Sequence, residues 1–138
     1  MEPDHIPTAP AALDERRCLR LLAGASVGRV VYTVGALPAV LPIRYRLGVD
    51  GSVLLRAAAH SELVRAVSGA VVAFEAGEVD EADGTGWSVT VLGRADVSAD
   101  PAGAPAAAEA PTDRPPGQVS IRIRPELVAG VLFPDVPA

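Results

Sequence analysis

Arginine supplies the chain's permanent positive charge and defines the chemistry that the protein could perform. All twelve positions counted as lysine or arginine are arginines, so a lysine Schiff base and a lysine phosphate clamp are excluded. A guanidinium group donates two parallel hydrogen bonds to a phosphate or a carboxylate. If the protein binds a phosphate, arginine must hold it.

The segment around Arg56 is a candidate phosphate site. Arg56 lies in a predicted strand at residues 53–57, on the face opposite its apolar neighbours. Ser61 can cap a helix predicted from Ser61 to about Ser68, and the free N–H groups at such a helix start attract anions. From the residues alone, Arg56 could equally be a solvated strand residue and Ser61 a simple cap.

The other reactive side chains form no recognisable catalytic or metal site. His5 and His60 have no cysteine or carboxylate at metal-ligand spacing, and Cys18 fits a buried thiol in an apolar helix. An acidic run lacks the ligand alternation of a calcium loop and predicts a solvated hairpin; it contains Glu75, Glu78, Asp80, Glu81 and Asp83. We expect no metal. The sequence contains neither a Gly-x-Ser-x-Gly elbow nor a recognisable Ser/His/Asp set, so it does not indicate nucleophilic catalysis.

Length and charge narrow the classes of protein to consider. A chain of 138 residues is large enough for one domain whose core needs neither disulfides nor metals. No run approaches the about 20 apolar residues of a membrane span, and the N-terminus lacks the basic and apolar regions of an export signal. We therefore expect a cytoplasmic protein that does not enter a membrane. The net charge of −5 argues against nucleic acid as a partner.

Alternation of apolar and polar residues predicts strands over most of the chain. Residues 27–34 are rich in β-branched side chains, and in residues 39–47 one set of alternate positions is apolar. The turn Gly35-Ala-Leu-Pro38 between these two segments predicts a hairpin. A short helix is expected between Asp14, as its N-cap, and Gly24. Further strands are predicted at residues 70–79, 87–97 and 119–124, with an apolar piece at 127–133 after them.

The strand that begins at Trp87 follows a Gly-Thr-Gly turn and carries the only tryptophan. Trp87 shares a face with Val89 and Val91, whereas Ser88 lies on the opposite face with Thr90. A single large ring at the start of such a strand could pack in the core, pack against a partner subunit, or meet a ligand. The residues alone leave these alternatives open.

One domain is expected at residues 13–138. It follows a loose Pro/Ala-rich arm at residues 1–12 and is interrupted by a Pro/Ala-rich loop at residues 98–117 that has no periodicity. With six or seven strands and only two short helices, antiparallel pairing through short turns favours a closed or partly open barrel over a βαβ sheet. The predicted fold class is therefore mainly β.

The order of short motifs along residues 13–133 resembles the pyridoxamine 5′-phosphate oxidase-like split-barrel flavoproteins. Each motif is only moderately specific, and their order over nearly the whole chain is the stronger signal. The motifs are Val27-Gly-Arg-Val30, Pro38-Ala-Val-Leu-Pro-Ile43, Leu55-Arg-Ala57, His60-Ser-Glu-Leu63, Phe74-Glu75, Gly86-Trp-Ser-Val89 and Gly93-Arg-Ala95.

This resemblance implies a six-stranded antiparallel split β-barrel that forms a homodimer with FMN at the dimer interface. It places the flavin ring against the backbone of Pro42, Ile43 and Arg44. It places the phosphate between the end of the third strand and the next helix, at Arg56, Ala57, His60, Ser61 and Glu62. It also places Trp87 and Ser88 near the flavin held mainly by the partner subunit, with Ser88 the better candidate for contact.

Two residues depart from the family pattern at the implied phosphate position. Glu62 stands where many relatives carry a lysine, and Ala57 replaces a frequent hydroxyl, so Arg56 would supply most of the positive charge. Like charges about 4 Å apart repel by about 4 kcal/mol near a protein surface. A deazaflavin cofactor, or loss of the cofactor, therefore stays open beside FMN.

The resemblance implies a flavin-dependent oxidoreductase acting on a small molecule. In such proteins the cofactor carries the redox chemistry, so the chain needs no acid or base of its own. We do not expect the protein to oxidise pyridoxamine phosphate itself, because the chain is short and lacks an evident basic C-terminal segment that would bind a second phosphate. The alternative is a non-enzymatic split-barrel protein that binds a deazaflavin, haem or another ligand, or none.

Overall fold

Antiparallel strands dominate the part of the chain that the computed structural model describes, residues 11–99 and 117–133. Ten elements follow one another there, eight strands and two short helices. They are β1 (Ala11–Leu13), α1 (Glu15–Ala23), β2 (Val27–Val34), β3 (Leu37–Arg44), β4 (Arg46–Leu47), β5 (Val53–Ala58), α2 (Glu62–Val67), β6 (Val71–Val79), β7 (Gly86–Ser98) and β8 (Gln118–Phe133).

All eight strands belong to one sheet, which curls into a half-barrel. Its order is β3-β2-β6-β7-β8-β5-β4, and β1 pairs with β8 beside that path. Six strands are long, while β1 and β4 contribute only three and two residues. The predicted six-stranded split barrel is thus confirmed, with two short strands added to it.

The concave face of the sheet holds the core. Alternation along β7 directs Val89, Val91 and Ala95 inward, where they are fully buried. Phe74 from β6 and Ile121 from β8 join them, and both helices close the core with their own apolar side chains. The predicted face of the Trp87 strand is therefore correct, and its residues line the barrel interior.

Both helices start at the predicted capping residues. The Asp14 carboxylate accepts a hydrogen bond from the Arg17 N–H at 2.8 Å, and the Ser61 hydroxyl accepts one from the Val64 N–H at 3.2 Å. Each cap satisfies an N–H group that has no partner within its helix. These caps fix where the chain leaves β1 and β5 for the helices.

Strand β8 is one long strand, whereas the sequence pattern predicted a strand and a separate apolar piece. A bulge against β7 shifts the register between Leu92 and Gly93, so that Gly93 pairs with Pro125 and Leu92 with Leu127. The bulge accommodates the proline without ending the strand. A Cβ atom on Gly93 would lie 1.8 Å from the Arg124 carbonyl oxygen, which explains the glycine there.

The predicted arm and loop are only partly within the described residues. Residues 11 and 12, assigned to the arm, lie in β1, which pairs with the end of β8. Strand β7 ends at Ser98, and β8 begins immediately after Gly117. Residues 1–10 and 100–116 lie outside the described residues. Among the described helices, none has the length and apolar character needed to cross a membrane.

Candidate functional site

A cavity of about 690 Å³ opens on the outer side of the sheet, where β3 passes into β4 and both meet β5 and β8. Three of its lining side chains are arginines, and we call it the arginine pocket. Its lining residues are Pro42, Ile43, Arg44, Tyr45, Arg46, Leu54, Leu55, Arg56, Gln118 and Ser120.

Strand register brings the outward-facing members of this lining together. Arg46 is the partner of Leu54 across β4 and β5, and Arg56 is the partner of Ser120 across β5 and β8. Paired residues on neighbouring strands point to the same face of a sheet. The alternate residues of β5, such as Val53, point into the core and are fully buried.

The charge of the arginine pocket is positive. Arg44, Arg46 and Arg56 line it, and none of the lining residues is acidic. Within the described part of the chain, Arg44 and Arg56 form no ion pair with a carboxylate. Because arginine keeps its charge at any physiological pH, two guanidinium groups remain available to bind an anion.

The walls and floor of the arginine pocket add apolar surface to this charge. Pro42, Ile43 and Leu54 contribute apolar side chains, and Leu54 is buried although it lies on the outward face. Ser120 is only 5% exposed and places a hydroxyl beside Arg56 at the floor. The combination fits a flat, largely apolar ligand that carries an anionic group.

Strand β3 is the edge of the sheet at the arginine pocket. One hydrogen bond shows which of its backbone N–H and carbonyl groups face β2 and which face the free edge. The Tyr45 N–H donates to the Ser26 carbonyl at 3.0 Å, in register with the β2–β3 pairing. Alternation along an antiparallel ladder then directs the backbone groups of Pro42 and Arg44 away from β2. The Pro42 carbonyl and the Arg44 N–H therefore lie on the free edge, and Pro42, which has no N–H, costs the sheet no bond.

Tyr45 anchors this edge to the core. Its ring is buried and meets the Phe74 ring edge-on, with centroids 4.8 Å apart and an interplanar angle of 64°. Its hydroxyl donates to the Leu22 carbonyl near the end of α1. Burial, followed by the nearby Glu78 charge, raises the pKa of Tyr45 to about 12. Because Tyr45 points inward, its neighbours Arg44 and Arg46 point outward.

Four of the residues predicted from the sequence line the arginine pocket. Pro42, Ile43 and Arg44 come from the end of β3 and Arg56 from β5. The structure thus brings these four predicted residues together in one pocket. The lining residues that sequence reasoning missed are Tyr45, Arg46, Leu54, Leu55, Gln118 and Ser120.

The remaining residues of the predicted phosphate position lie outside the lining of the arginine pocket. Ala57 points inward and packs against the core, and Ser61 caps α2. His60 is exposed, and its carbonyl accepts a hydrogen bond from Arg65. Glu62 is exposed in the first turn of α2 and is not a lining residue either.

Trp87 and Ser88 lie on β7, and neither lines the arginine pocket. Trp87 is half-buried and packs against the core, which matches one of its predicted alternatives. The Ser88 hydroxyl donates to Glu75 Oε2 at 2.8 Å, and the other oxygen of Glu75 binds Arg29. Arg29 is the register partner of Pro42, so this chain of contacts reaches the border of the pocket along the outer face.

No metal-binding cluster is found among the described residues. Within residues 11–99 and 117–133, no three histidine, cysteine, aspartate or glutamate side chains come close enough to hold an ion. Asp83 accepts hydrogen bonds from the N–H and the hydroxyl of Thr85, and these bonds lower its pKa. The acidic turn is thus a hydrogen-bonded hairpin connection.

A curled antiparallel half-barrel is the architecture of split-barrel proteins. The model of the pyridoxamine 5′-phosphate oxidase family matches residues 14–131. The chain therefore belongs to that family, which confirms the resemblance drawn from its motifs.

Individual relatives agree with this assignment. The chain is similar to the uncharacterised protein Rv0080 of Mycobacterium tuberculosis, with 44% identity over 94 residues; the match covers 64% of this chain and 61% of that relative, less than two thirds of its length. It is similar to the FAD binding protein of Mycobacterium smegmatis, with 32% identity, a TM-score of 0.74 and coverage of 90% of this chain and 100% of the other. A FAD-binding protein of Mesorhizobium loti, 18% identical, shares the fold, with a TM-score of 0.72 and coverage of 92% and 100%.

Proposed function

We propose that the protein binds a flavin nucleotide in the arginine pocket. The observation that carries this proposal is the presence of Arg44 and Arg56, two guanidinium groups that form no ion pair within the described residues, at a pocket whose lining holds no acidic residue. An anionic ligand neutralises such a pair without displacing an existing ion pair, which makes the binding electrostatically favourable. The phosphate of a flavin nucleotide is such a group.

The rest of the arginine pocket suits a flavin ring. Pro42, Ile43 and Leu54 supply apolar surface for the ring face. The Arg44 N–H and the Pro42 carbonyl, on the free edge of β3, supply one donor and one acceptor for its polar edge. When bound, the flavin would supply hydride and electron transfer, while these residues bind it and orient it.

FMN is the nucleotide that the sequence resemblance implies. FAD is a second candidate, because the Mycobacterium smegmatis relative with 32% identity is an FAD binding protein. Both carry phosphate, so the arginines of the pocket suit either one. Chromatography and mass analysis of the cofactor released from the purified, denatured protein would tell the two apart.

We further propose that the protein is a flavin-dependent oxidoreductase acting on a small molecule. The test is the visible spectrum of the purified protein after desalting and after addition of FMN or FAD. We expect flavin bands that remain with the protein and that a reduced nicotinamide bleaches. A protein that retains neither nucleotide would overturn the flavin proposal, and retained but unreactive flavin would indicate a carrier or sensor.

We also propose that two copies of the chain form a homodimer through the outer face of the sheet. Five strands place one apolar residue each in register across this face, a row that measures about 19 Å at about 4.8 Å per strand spacing. An apolar row of this length is self-complementary under a two-fold axis, as a symmetric interface requires. The residues of this outer row are Val40, Val31, Ala73, Leu92 and Leu127.

A further inference from the structure

An ion pair lies directly beside the arginine pocket and contains an arginine in addition to the three that line it. Arg122 Nη1 lies 3.0 Å from Asp50 Oδ2. Arg122 is the register partner of Leu54 and stands two residues from Ser120 on β8, so it adjoins two lining residues of the pocket. It is not a lining residue itself, and its guanidinium is bound to Asp50.

Asp50 is held in position by its own turn. Its second carboxylate oxygen accepts the Ser52 N–H at 3.0 Å, and the turn closes with the Gly51 N–H donating to the Gly48 carbonyl at 3.0 Å. Hydrogen bonds from Ser52 lower the pKa of Asp50, so it is ionised at neutral pH. The Asp50 side chain is 55% exposed and the Arg122 side chain 23% exposed. Asp50 therefore binds the more deeply buried Arg122 from the side of the solvent.

The other carboxylate near Arg122 is bound to a different arginine. Asp96 is the register partner of Arg122 across β7 and β8. Its Oδ2 atom, however, accepts the Arg124 Nε–H at 2.8 Å. Asp50 is therefore the carboxylate that binds Arg122 in the described part of the chain.

We propose that Asp50 is a specificity-determining residue of the arginine pocket: by binding Arg122 it keeps a fourth guanidinium out of the pocket and limits the preference for phosphorylated over unphosphorylated flavin. The inference rests on the proposed function, since it takes a flavin phosphate as the anion. An arginine side chain extends past its cross-strand neighbour, so release of Arg122 beside Leu54 and Ser120 brings its charge to the floor of the pocket.

The test compares FMN with riboflavin, which lacks the phosphate, in fluorescence titrations of the full chain. Asp50→Asn removes the charge but keeps an oxygen that accepts the Ser52 N–H, so the turn is preserved. We expect FMN to bind about tenfold tighter, the gain of one charge-assisted hydrogen bond, and riboflavin affinity to stay unchanged. In the double variant Asp50→Asn/Arg122→Gln, FMN affinity should return to the wild-type value. Arg122→Gln alone should change it by less than about twofold, because that arginine is already bound by Asp50.

Asp83→Asn is the matched control. Asp83, like Asp50, lies in a turn and accepts a hydrogen bond from the residue two positions later. One of its carboxylate oxygens accepts the Thr85 N–H at 2.9 Å. It belongs to the acidic hairpin connection between β6 and β7 and forms no ion pair with an arginine of the described ranges. This substitution removes the same charge and should leave FMN affinity at the wild-type value.

Several outcomes would overturn the inference. Unchanged FMN affinity in Asp50→Asn would show that Arg122 does not reach the phosphate. A gain that persists in the double variant would assign the effect to the Asp50 charge and not to Arg122. A large loss in Arg122→Gln alone would show that Arg122 already binds the ligand. If the wild-type protein binds neither FMN nor FAD, the proposed function itself fails, and the inference falls with it.

Discussion

Arg56 and Ser120 face each other across β5 and β8, on the outer side of the sheet, and both line the arginine pocket. Arg56 is exposed, while Ser120 is almost fully buried at the pocket floor. The pair places a charged group at the mouth of the arginine pocket and a hydroxyl at its floor. Both residues come from continuously paired strands, so the backbone position of Arg56 is set by the sheet and not by a loop.

Substitution of Arg56 should weaken binding of flavin nucleotides. Arg56→Ala removes one of the two pocket arginines that have no carboxylate partner in the described part of the chain, and loss of a charge-assisted hydrogen bond costs about 1.5–3 kcal/mol. We expect the Kd for FMN to rise at least about tenfold. Arg44→Ala should behave alike, and riboflavin affinity should change little in either variant. Isothermal titration calorimetry would measure these values.

Arg16→Ala is the control for this pair of variants. Arg16 is exposed on α1 and does not line the arginine pocket. Its loss removes the same net charge, so it reports any general effect of charge on flavin binding. Equal weakening in Arg16→Ala and Arg56→Ala would contradict a specific role for the pocket arginines.

Glu62 allows two positions of the phosphate to be distinguished. It lies in the first turn of α2 and outside the lining of the arginine pocket. With the phosphate at the arginines, Glu62→Lys should change FMN affinity by less than about twofold, and the loss of an acidic residue from a helix start should lower stability by about 0.5 kcal/mol. Titration and chemical denaturation would check both values. A tenfold gain in affinity would instead place the phosphate at the start of α2, where the sequence resemblance implies it.

A charge in the outer row should dissociate the proposed homodimer. Val40 is 59% exposed on the edge strand β3 and begins the row. In Val40→Glu, an interface residue would carry a buried, unpaired carboxylate, which costs several kcal/mol. We expect the dimer Kd to rise at least about 100-fold. Sedimentation velocity would report this as a shift to monomer.

Val49→Glu introduces the same substitution at a fully exposed valine outside the outer row. Val49 lies in the turn between β4 and β5, so its replacement should leave the association state unchanged. A wild-type chain that sediments as a monomer would refute the proposed dimer. Dissociation in both variants would show that added charge, and not the outer row, controls assembly.

Local patterns were sufficient for the elements of the fold. Asp14 and Ser61 marked both helix starts because a cap is a property of three or four consecutive residues. The alternation from Trp87 onward identified the buried face of β7 because a strand has a period of two. The exceptions were β1, which was partly assigned to the arm, β4, which was predicted as part of the strand at residues 39–47, and β8. In β8, a bulge that lets Pro125 sit within a strand depends on Gly93 of another strand, and no local pattern reports that pairing.

Four lining residues of the candidate site were predicted, Arg56 also from its own residue pattern but Pro42, Ile43 and Arg44 only through the sequence resemblance. Pro42, Ile43 and Arg44 are consecutive, and Arg46 shares the outward face of Arg44, so its alternation was a usable signal. Ser120 and Gln118 come from β8 and reach the arginine pocket only through pairing with β5. Such long-range register is set by the packing of the whole sheet, and the sequence around β8 contains no sign of a ligand.

Stability at high pH should depend on Tyr45. Its pKa is raised from 10.0 to about 12 in the folded protein, so the folded state disfavours the ionised phenol. The contribution is fully present below pH 10 and is lost as the pH rises toward 12, because the unfolded chain then releases a proton that the folded chain keeps. We expect the free energy of unfolding, measured by urea titration, to fall steadily from pH 10 upward.

Tyr45→Phe should remove the part of the fall in unfolding free energy above pH 10 that ionisation of Tyr45 causes. At neutral pH the variant should also be about 1 kcal/mol less stable, because the Leu22 carbonyl loses the hydrogen bond that the hydroxyl donates. Tyr32→Phe removes the other tyrosine hydroxyl of the chain and is the matched control; the decline above pH 10 should persist in it. An identical decline in wild type and Tyr45→Phe would show that the phenol at the arginine pocket does not stay protonated in the folded state.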